Sequence, residues 1–511
     1  MAKKQSGTHI SNGSVCTSKP ALFRWYSSFK GHHEHLMTKK PHGFAYALPI
    51  LDLAASENLQ SSFKQETAKM DLQIISKEEI KPASPTPHHL RTLRFSLLDQ
   101  ISPDCYTSLL FFFSSNCQKT MLNINDVISD RRRRLKQSLF KILVPFYPLA
   151  GKIIKDGFHI ECNDDGVYYV EARTNMQLSD LLKKPENELI NQLCPLHPDS
   201  VEMLSKSYVL MVQISIFDCG GIAIGLNASH KILDGLSVST FMQAWGATAR
   251  ESSKQIHPSF ISSSMFPPIP DLIRNTSIMI AKHQMKEHNY VTKRFVFDSS
   301  ALAALKSKAA IANPSSVTAV MGLVWKSFIV ASKKKSILYI PVNLRTKCSP
   351  PLPPHSLGNI IWLPSANLCV EEDSNLELEY LVNKIRNAIA TINTDFIECI
   401  KGGNEIHKLK EFDEKVYYDD QNSKEECIQI SSICKTGFYE PDFEWGKPIW
   451  SCVTRGNKDL FGLGNIVHLI ETKSGDGIEA CVTIKEEYMV VLEQNSELLS
   501  YASLNPGSHE S

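Results

Sequence analysis

No Cys-x-x-Cys pair occurs in this 511-residue chain, and its 13 cysteines are scattered, with Cys427 and Cys434 the nearest two. That pattern gives no support to a zinc site or a thioredoxin-type redox site. Thiols used this way fit a reducing compartment, and the chain reads as cytoplasmic. No apolar run approaches the ~18 residues that a membrane helix needs. The strongest run, residues 109–113, has the length and composition of a strand. Charge of one sign is also lacking: the net charge is +1, so nothing draws the whole molecule to nucleic acid or to an anionic membrane. The one dense cationic run, residues 131–134, has no interleaved aromatics. Leu135, Leu139, Ile142 and Leu143 follow it on one helical face, so the arginines read as the solvated side of an amphipathic helix. The chain has no Gly-x-Ser-x-Gly elbow and no glycine loop followed by Gly-Lys-Ser/Thr, which removes the usual serine-hydrolase and nucleotide-phosphate readings.

What is present is globular. The apolar fraction is 42%, well above the disordered regime, and the length suits roughly two to four domains. Residues 1–51 carry seven Lys or Arg and a single acidic residue, Glu34. Residues 1–69 read as an extension without a fold of its own, in preference to an organelle transit peptide. From Met70 onward, strand-like and helix-like runs alternate, which predicts an α/β class. Helices are expected over 126–144, 236–248, 299–312 and 316–332, and strands over 208–226 around Gly220-Gly221 and over 293–297. Residues 252–275, rich in Ser and Pro, form the best linker. The expected domains are 70–260 and 285–511, with a crossover over 261–284.

The chemistry centres on Ser229-His230-Lys231-Ile232-Leu233-Asp234-Gly235. An apolar strand, Gly221 to Asn227, runs directly into His230, which puts the imidazole at the rim of a sheet where it can meet a substrate. Histidine takes a proton from a hydroxyl near neutral pH without large tuning of its pKa. Taken alone the spacing is weak. It fits equally a buried histidine followed by an aspartate that caps the next helix. No His or Cys partners cluster nearby to make a metal site. A general base without a protein nucleophile implies direct attack by an acceptor on an activated acyl donor.

A second motif, Asp442-Phe443-Glu444-Trp445-Gly446-Lys447-Pro448, changes the weight of the first. Ser96-Leu97-Leu98-Asp99-Gln100, Asn343-Leu344-Arg345, Gly358-Asn359 and Ser474-Gly475-Asp476-Gly477-Ile478-Glu479-Ala480 accompany it in order along the chain. Together they resemble the plant BAHD family of acyl-CoA-dependent acyltransferases, and look most like its alkaloid-acetylating branch. The resemblance implies two chloramphenicol-acetyltransferase-like domains, each a mixed β-sheet with flanking helices, joined by a long crossover loop. It implies a monomer with no metal and no resident cofactor, using acetyl-CoA or another acyl-CoA as co-substrate and a small-molecule alcohol as acceptor. It assigns His230 as the base, pairs Asp234 with Arg345 in a structural role beside Gly235, and places Asp442, Phe443, Trp445 and Gly446 away from the base on the CoA side. Ser315 or Ser316 matches a family position near CoA, and a plain helix cap explains the same residues as well. Glu444 stands where the family carries glycine. If that position needs φ > 0, glutamate costs on the order of 1 kcal/mol or more. The expected activity is acetyl transfer to a hydroxyl of an alkaloid or similar plant metabolite. Other acyl donors, terpenoid, phenolic or amine acceptors, and a catalytically silent binding relative are the alternatives.

Overall fold

Two mixed β-sheets carry the architecture of the computed structural model. The structure describes residues 70–115, 123–154, 158–195, 208–269, 289–309, 313–368, 376–402, 425–454 and 464–508. These residues all belong to one compact unit, Ala68–Ser511. The amino-terminal extension, most of the expected crossover and the far C-terminus lie outside the described residues. Among the described residues, no helix is long and apolar enough to cross a membrane.

The first sheet runs in the order Leu72–Ile80, Val167–Thr174, Leu210–Ile216, Ile222–Ser229, Tyr106–Phe113, Trp450–Thr454. Only the pair Val167–Thr174 and Leu210–Ile216 is parallel. The apolar run 109–113 lacks alternation because both of its faces are covered. Leu109, Phe111 and Phe113 enter one core, whereas Leu110 and Phe112 enter another. Ile222–Ser229, paired on both sides, is buried at every position. The last strand of this sheet, Trp450–Thr454, comes from far along the chain and pairs with Tyr106–Phe113.

The second sheet runs Ser365–Asn367, Lys335–Tyr339, Glu425–Ser432, Asn465–Glu471, Ile478–Lys485, Tyr290–Phe297, Ser503–Leu504. Glu425–Ser432 and most of Asn465–Glu471 alternate in burial, as a half-buried strand does. Ile428, Ile430, Val467 and Leu469 are buried in the core against the helix Ser316–Ser332 and its neighbours. Gln429, Ser431, Ile466 and His468 point to the opposite face and line a cavity.

Helices form close to where periodicity placed them: Ile124–Ile142, Gly235–Ala249, Ser299–Lys308 and Ser316–Ser332. One reading needs correction. Arg131 is not on the solvated face. It is buried, donates to the carbonyls of Ser114 and Gly220 at 3.1 Å each, and lies 5.2 Å from the centre of the Trp445 ring. The apolar face of this helix is wide enough to take in position 131, and these contacts, with a further donation to the Ser115 carbonyl, offset the guanidinium's burial. Arg132 and Arg134 remain part-exposed in ion pairs with Glu171 and with Asp130 and Glu444, respectively.

Before residue 270 the crossover is tied down. Phe266 is buried, its carbonyl accepts from the Leu97 amide at 2.9 Å, and the Ile269 amide donates to the Gln100 side chain at 2.9 Å.

Candidate active site

His230 follows the end of the strand Ile222–Ser229 directly. Its amide continues the ladder by donating to the Cys105 carbonyl at 2.7 Å, which fixes the backbone that carries the ring. The ring Nδ1 lies 3.0 Å from Asn359 Oδ1. The Asn359 amide nitrogen donates to the His230 carbonyl at 2.5 Å. These two contacts together determine a tautomer. If the amide were turned over, its oxygen would face a carbonyl oxygen, so Oδ1 must face the ring. Oδ1 can only accept. Nδ1 therefore carries a proton, and in the neutral ring the lone pair is on Nε2.

Asn359 is itself held. It is fully buried, and its amide donates to Asp99 Oδ1 at 2.8 Å. Asp99 closes a capping box with Ser96 at the start of Leu97–Ile101. Its other oxygen accepts from the Ser96 amide at 2.8 Å and hydroxyl at 2.6 Å. Complete burial nevertheless pushes the Asp99 carboxyl up to about 6, against the lowering effect of Ser96, Asn359 and Lys231. Lys231, next to His230, turns away and donates to the carbonyls of Gln100 and Ser102 at 3.0 and 2.9 Å. Burial lowers its pKa, against the attraction of Asp104 and Asp99.

Asp234 does not touch the imidazole. It caps the helix Gly235–Ala249 by accepting from the Ser237 amide at 2.8 Å, and it meets Arg345 through two contacts of 2.7 and 3.1 Å. The Ile360 amide donates to it as well, at 3.1 Å. Arg345 uses its remaining donors on Ser356, Asn343, Ser237 and Gly358. Both side chains are buried, so this is a fully hydrogen-bonded internal ion pair. Gly358 has φ +137°, and a Cβ there would lie 2.9 Å from the Ser262 hydroxyl. The turn before Asn359 therefore needs glycine. Gly235 opens the helix and lines the cavity with His230, Asp234 and Arg345.

The cavity measures about 180 Å³. Strand ends of the first sheet (Thr107, Ser108, Val453, Thr454) form one wall, and the open face of the second sheet forms another. His468, on that second wall, was not singled out from sequence. Burial and the neighbouring His230 push its pKa down to about 4, so the ring is neutral at physiological pH.

The second motif lies elsewhere. Asp442 folds its own loop by accepting from the amides of Glu444 and Gly446, and pairs with Arg250 at 3.1 Å. Phe443 packs edge-on against Trp245 and Phe113. A Cβ on Gly246 would meet the Asp442 carbonyl at 2.7 Å, so helix and loop touch through bare backbone. The motif thus braces the far end of the helix that begins at Asp234. Glu444 does adopt φ +86°, in the region that favours glycine, and its carboxylate pairs with Arg134 on the surface. Ser315 caps the helix Ser316–Ser332 by accepting from the Thr318 amide at 3.0 Å. Neither Ser315 nor Ser316 is among the residues lining the cavity.

The chain is similar to known proteins over most of its length. The model of the Transferase family matches residues 70–499. Stemmadenine O-acetyltransferase of Catharanthus roseus is 35% identical over 84% of this chain and 97% of its own. Limonoid 7-O-acetyltransferase of Citrus sinensis is 36% identical over 86% and 99%. The crystal structure of vinorine synthase superposes with a TM-score of 0.72 at 33% identity, covering 86% of this chain and all of that one. The fold is accordingly the two-domain chloramphenicol-acetyltransferase-like α/β architecture. With one family model spanning most of its length and relatives above 30% identity matched almost end to end, the chain belongs to the Transferase family, the BAHD acyltransferases whose motifs it carries.

Proposed function

We propose that this acyltransferase moves an acetyl group from acetyl-CoA to a hydroxyl of an alkaloid or a similar plant polycyclic alcohol, with His230 as general base and no covalent acyl-enzyme. The observation that carries the reading is the two-point grip of Asn359 on His230, which leaves the Nε2 lone pair available in a cavity. In the reaction, Nε2 takes the proton of the acceptor hydroxyl as its oxygen attacks the thioester carbonyl. The tetrahedral intermediate collapses by breaking the C–S bond. The departing thiolate recovers the proton from the imidazolium, and the base is restored.

Asp234 and Arg345 act on shape in this scheme. Their internal pair ties the helix Gly235–Ala249 to the segment carrying Asn359, so both ends of the His230–Asn359 contact are set by one network. In this reading the domains are 70–260 and 285–511, and Trp450–Thr454 from the second part pairs with Tyr106–Phe113 in the first sheet. The name of the citrus relative, a limonoid acetyltransferase, favours a second reading, in which the acceptor is a terpenoid alcohol.

The test supplies purified protein with acetyl-CoA and a panel of polycyclic alcohols, and follows free thiol together with acetylated product. Acceptor-dependent CoA release supports the reading. Binding of acetyl-CoA without product from any acceptor would instead identify a silent relative.

A further inference from the structure

The second wall of the cavity is a small grid. Two registers across the sheet define it: Ser431 stands beside His468, which stands beside Cys481, and Gln429 stands beside Ile466, which stands beside Thr483. All six residues line the cavity. Thr483 is already engaged, with its hydroxyl 2.9 Å from that of Thr292, and the Cys481 thiol is directed at the Val453 carbonyl at 3.6 Å. The side chains of His468, Gln429 and Ser431 have no hydrogen-bond partner among the described residues, although they sit on an otherwise well-satisfied sheet. Polar groups set inside a pocket with their bonding capacity unused are characteristic of a ligand contact, because leaving them unpaired beneath an apolar ligand would cost desolvation.

The charge of the cavity narrows the ligand. Among the described residues, Asp234 is the one lining carboxylate, and both its oxygens are committed to Arg345 and to backbone amides. Nothing anionic is free to receive an ammonium group.

We propose that His468, with Gln429 and Ser431 beside it, anchors the acceptor by hydrogen-bonding a neutral oxygen function, such as a carbonyl or ester, at a distance from the hydroxyl that is acylated. The part of the acceptor against this wall is then neutral and oxygenated, and a basic amine of an alkaloid acceptor is placed away from it. This rests on the reading of the His230 cavity as the acceptor site. His468 acts here in specificity; the proton transfer belongs to His230.

The test compares matched alcohols that share the reacting hydroxyl and differ only in a remote keto group, against the full chain and its His468→Leu and His468→Gln variants. In the unaltered enzyme the keto alcohol should show about a tenfold lower KM and Kd than its deoxy twin, the discrimination expected of one good hydrogen bond. His468→Leu should collapse that ratio toward one, chiefly through KM, while acetyl-CoA binding is kept. His468→Gln, which keeps an N–H donor, should hold most of the ratio. A ratio left intact by His468→Leu, or a loss confined to kcat, overturns the proposal. Calorimetric binding separates it from the broader reading. If the keto alcohol binds in a His468-dependent way but is never acylated, the anchor stands and the acyltransferase assignment of this cavity falls.

Discussion

Asn359→Ala is the substitution that examines the catalytic geometry most closely. It deletes the acceptor that holds the proton on Nδ1 and the donor that satisfies the His230 carbonyl, and it leaves the Asn359 backbone bond to Asp99 in place. A hydrogen bond of this kind contributes a net ~0.5–1.5 kcal/mol. Without it the imidazole is free to adopt the other tautomer and to rotate, so less of the enzyme presents an Nε2 lone pair. The expected loss in kcat is about tenfold, corresponding to ~1.4 kcal/mol in the barrier. The orphaned carbonyl costs a further ~1–3 kcal/mol of folding stability, which a denaturant midpoint measures separately. Because Asn359 acts through His230, the effects should not add: His230→Ala combined with Asn359→Ala should be no slower than His230→Ala alone. A kcat for Asn359→Ala within twofold of the parent, or full additivity in the double variant, would refute this reasoning.

Other substitutions address the frame. Asp234→Ala or Arg345→Ala leaves a buried, uncompensated charge, and each should lower stability by about 3–5 kcal/mol in urea titrations; a loss below ~1 kcal/mol would show that the pair is not structural. Glu444→Gly relieves a left-handed backbone worth ~1 kcal/mol of strain while giving up an exposed ion pair worth ~0–1 kcal/mol. Melting should show a small stabilisation and kinetics no change, since the loop is braced on the helix end remote from His230. Asp99 binds its proton more tightly folded than unfolded, with a carboxyl at about 6 against 3.8. Its contribution to stability is therefore complete below about 4 and is lost as the pH rises to about 6. Asp99→Asn should flatten that part of the urea-midpoint profile.

The local elements were legible because their signals are local. Apolar periodicity marked the helices Ile124–Ile142 and Gly235–Ala249, and the chain Gly221 to Asn227 announced a strand that delivers His230 to a sheet rim. Asp234 could be read two ways. The structure keeps both its capping role and its partnership with Arg345, because one carboxylate has enough lone pairs for each. Asn359 was visible only as half of a Gly-Asn pair. Its function depends on a contact across 129 residues that no spacing encodes. His468 was less visible still, since its neighbours Ser431 and Cys481 are set by strand register rather than by sequence distance. Arg131 was misassigned because its burial depends on carbonyls supplied by other segments. The positive φ at position 444 was foreseeable from the glycine that the resemblance led one to expect there.

The central claim is that His230 takes the acceptor's proton and that acyl transfer is direct. Its most immediate test is His230→Ala, assayed for acetylated product and free CoA with acetyl-CoA and a competent acceptor alcohol. The account predicts a fall in kcat of about 10²–10⁴-fold, with retained folding and acetyl-CoA binding and no acyl-protein adduct in rapidly quenched samples. A variant that keeps kcat within tenfold of the parent, or an acetylated enzyme that forms and decays at the turnover rate, would contradict it.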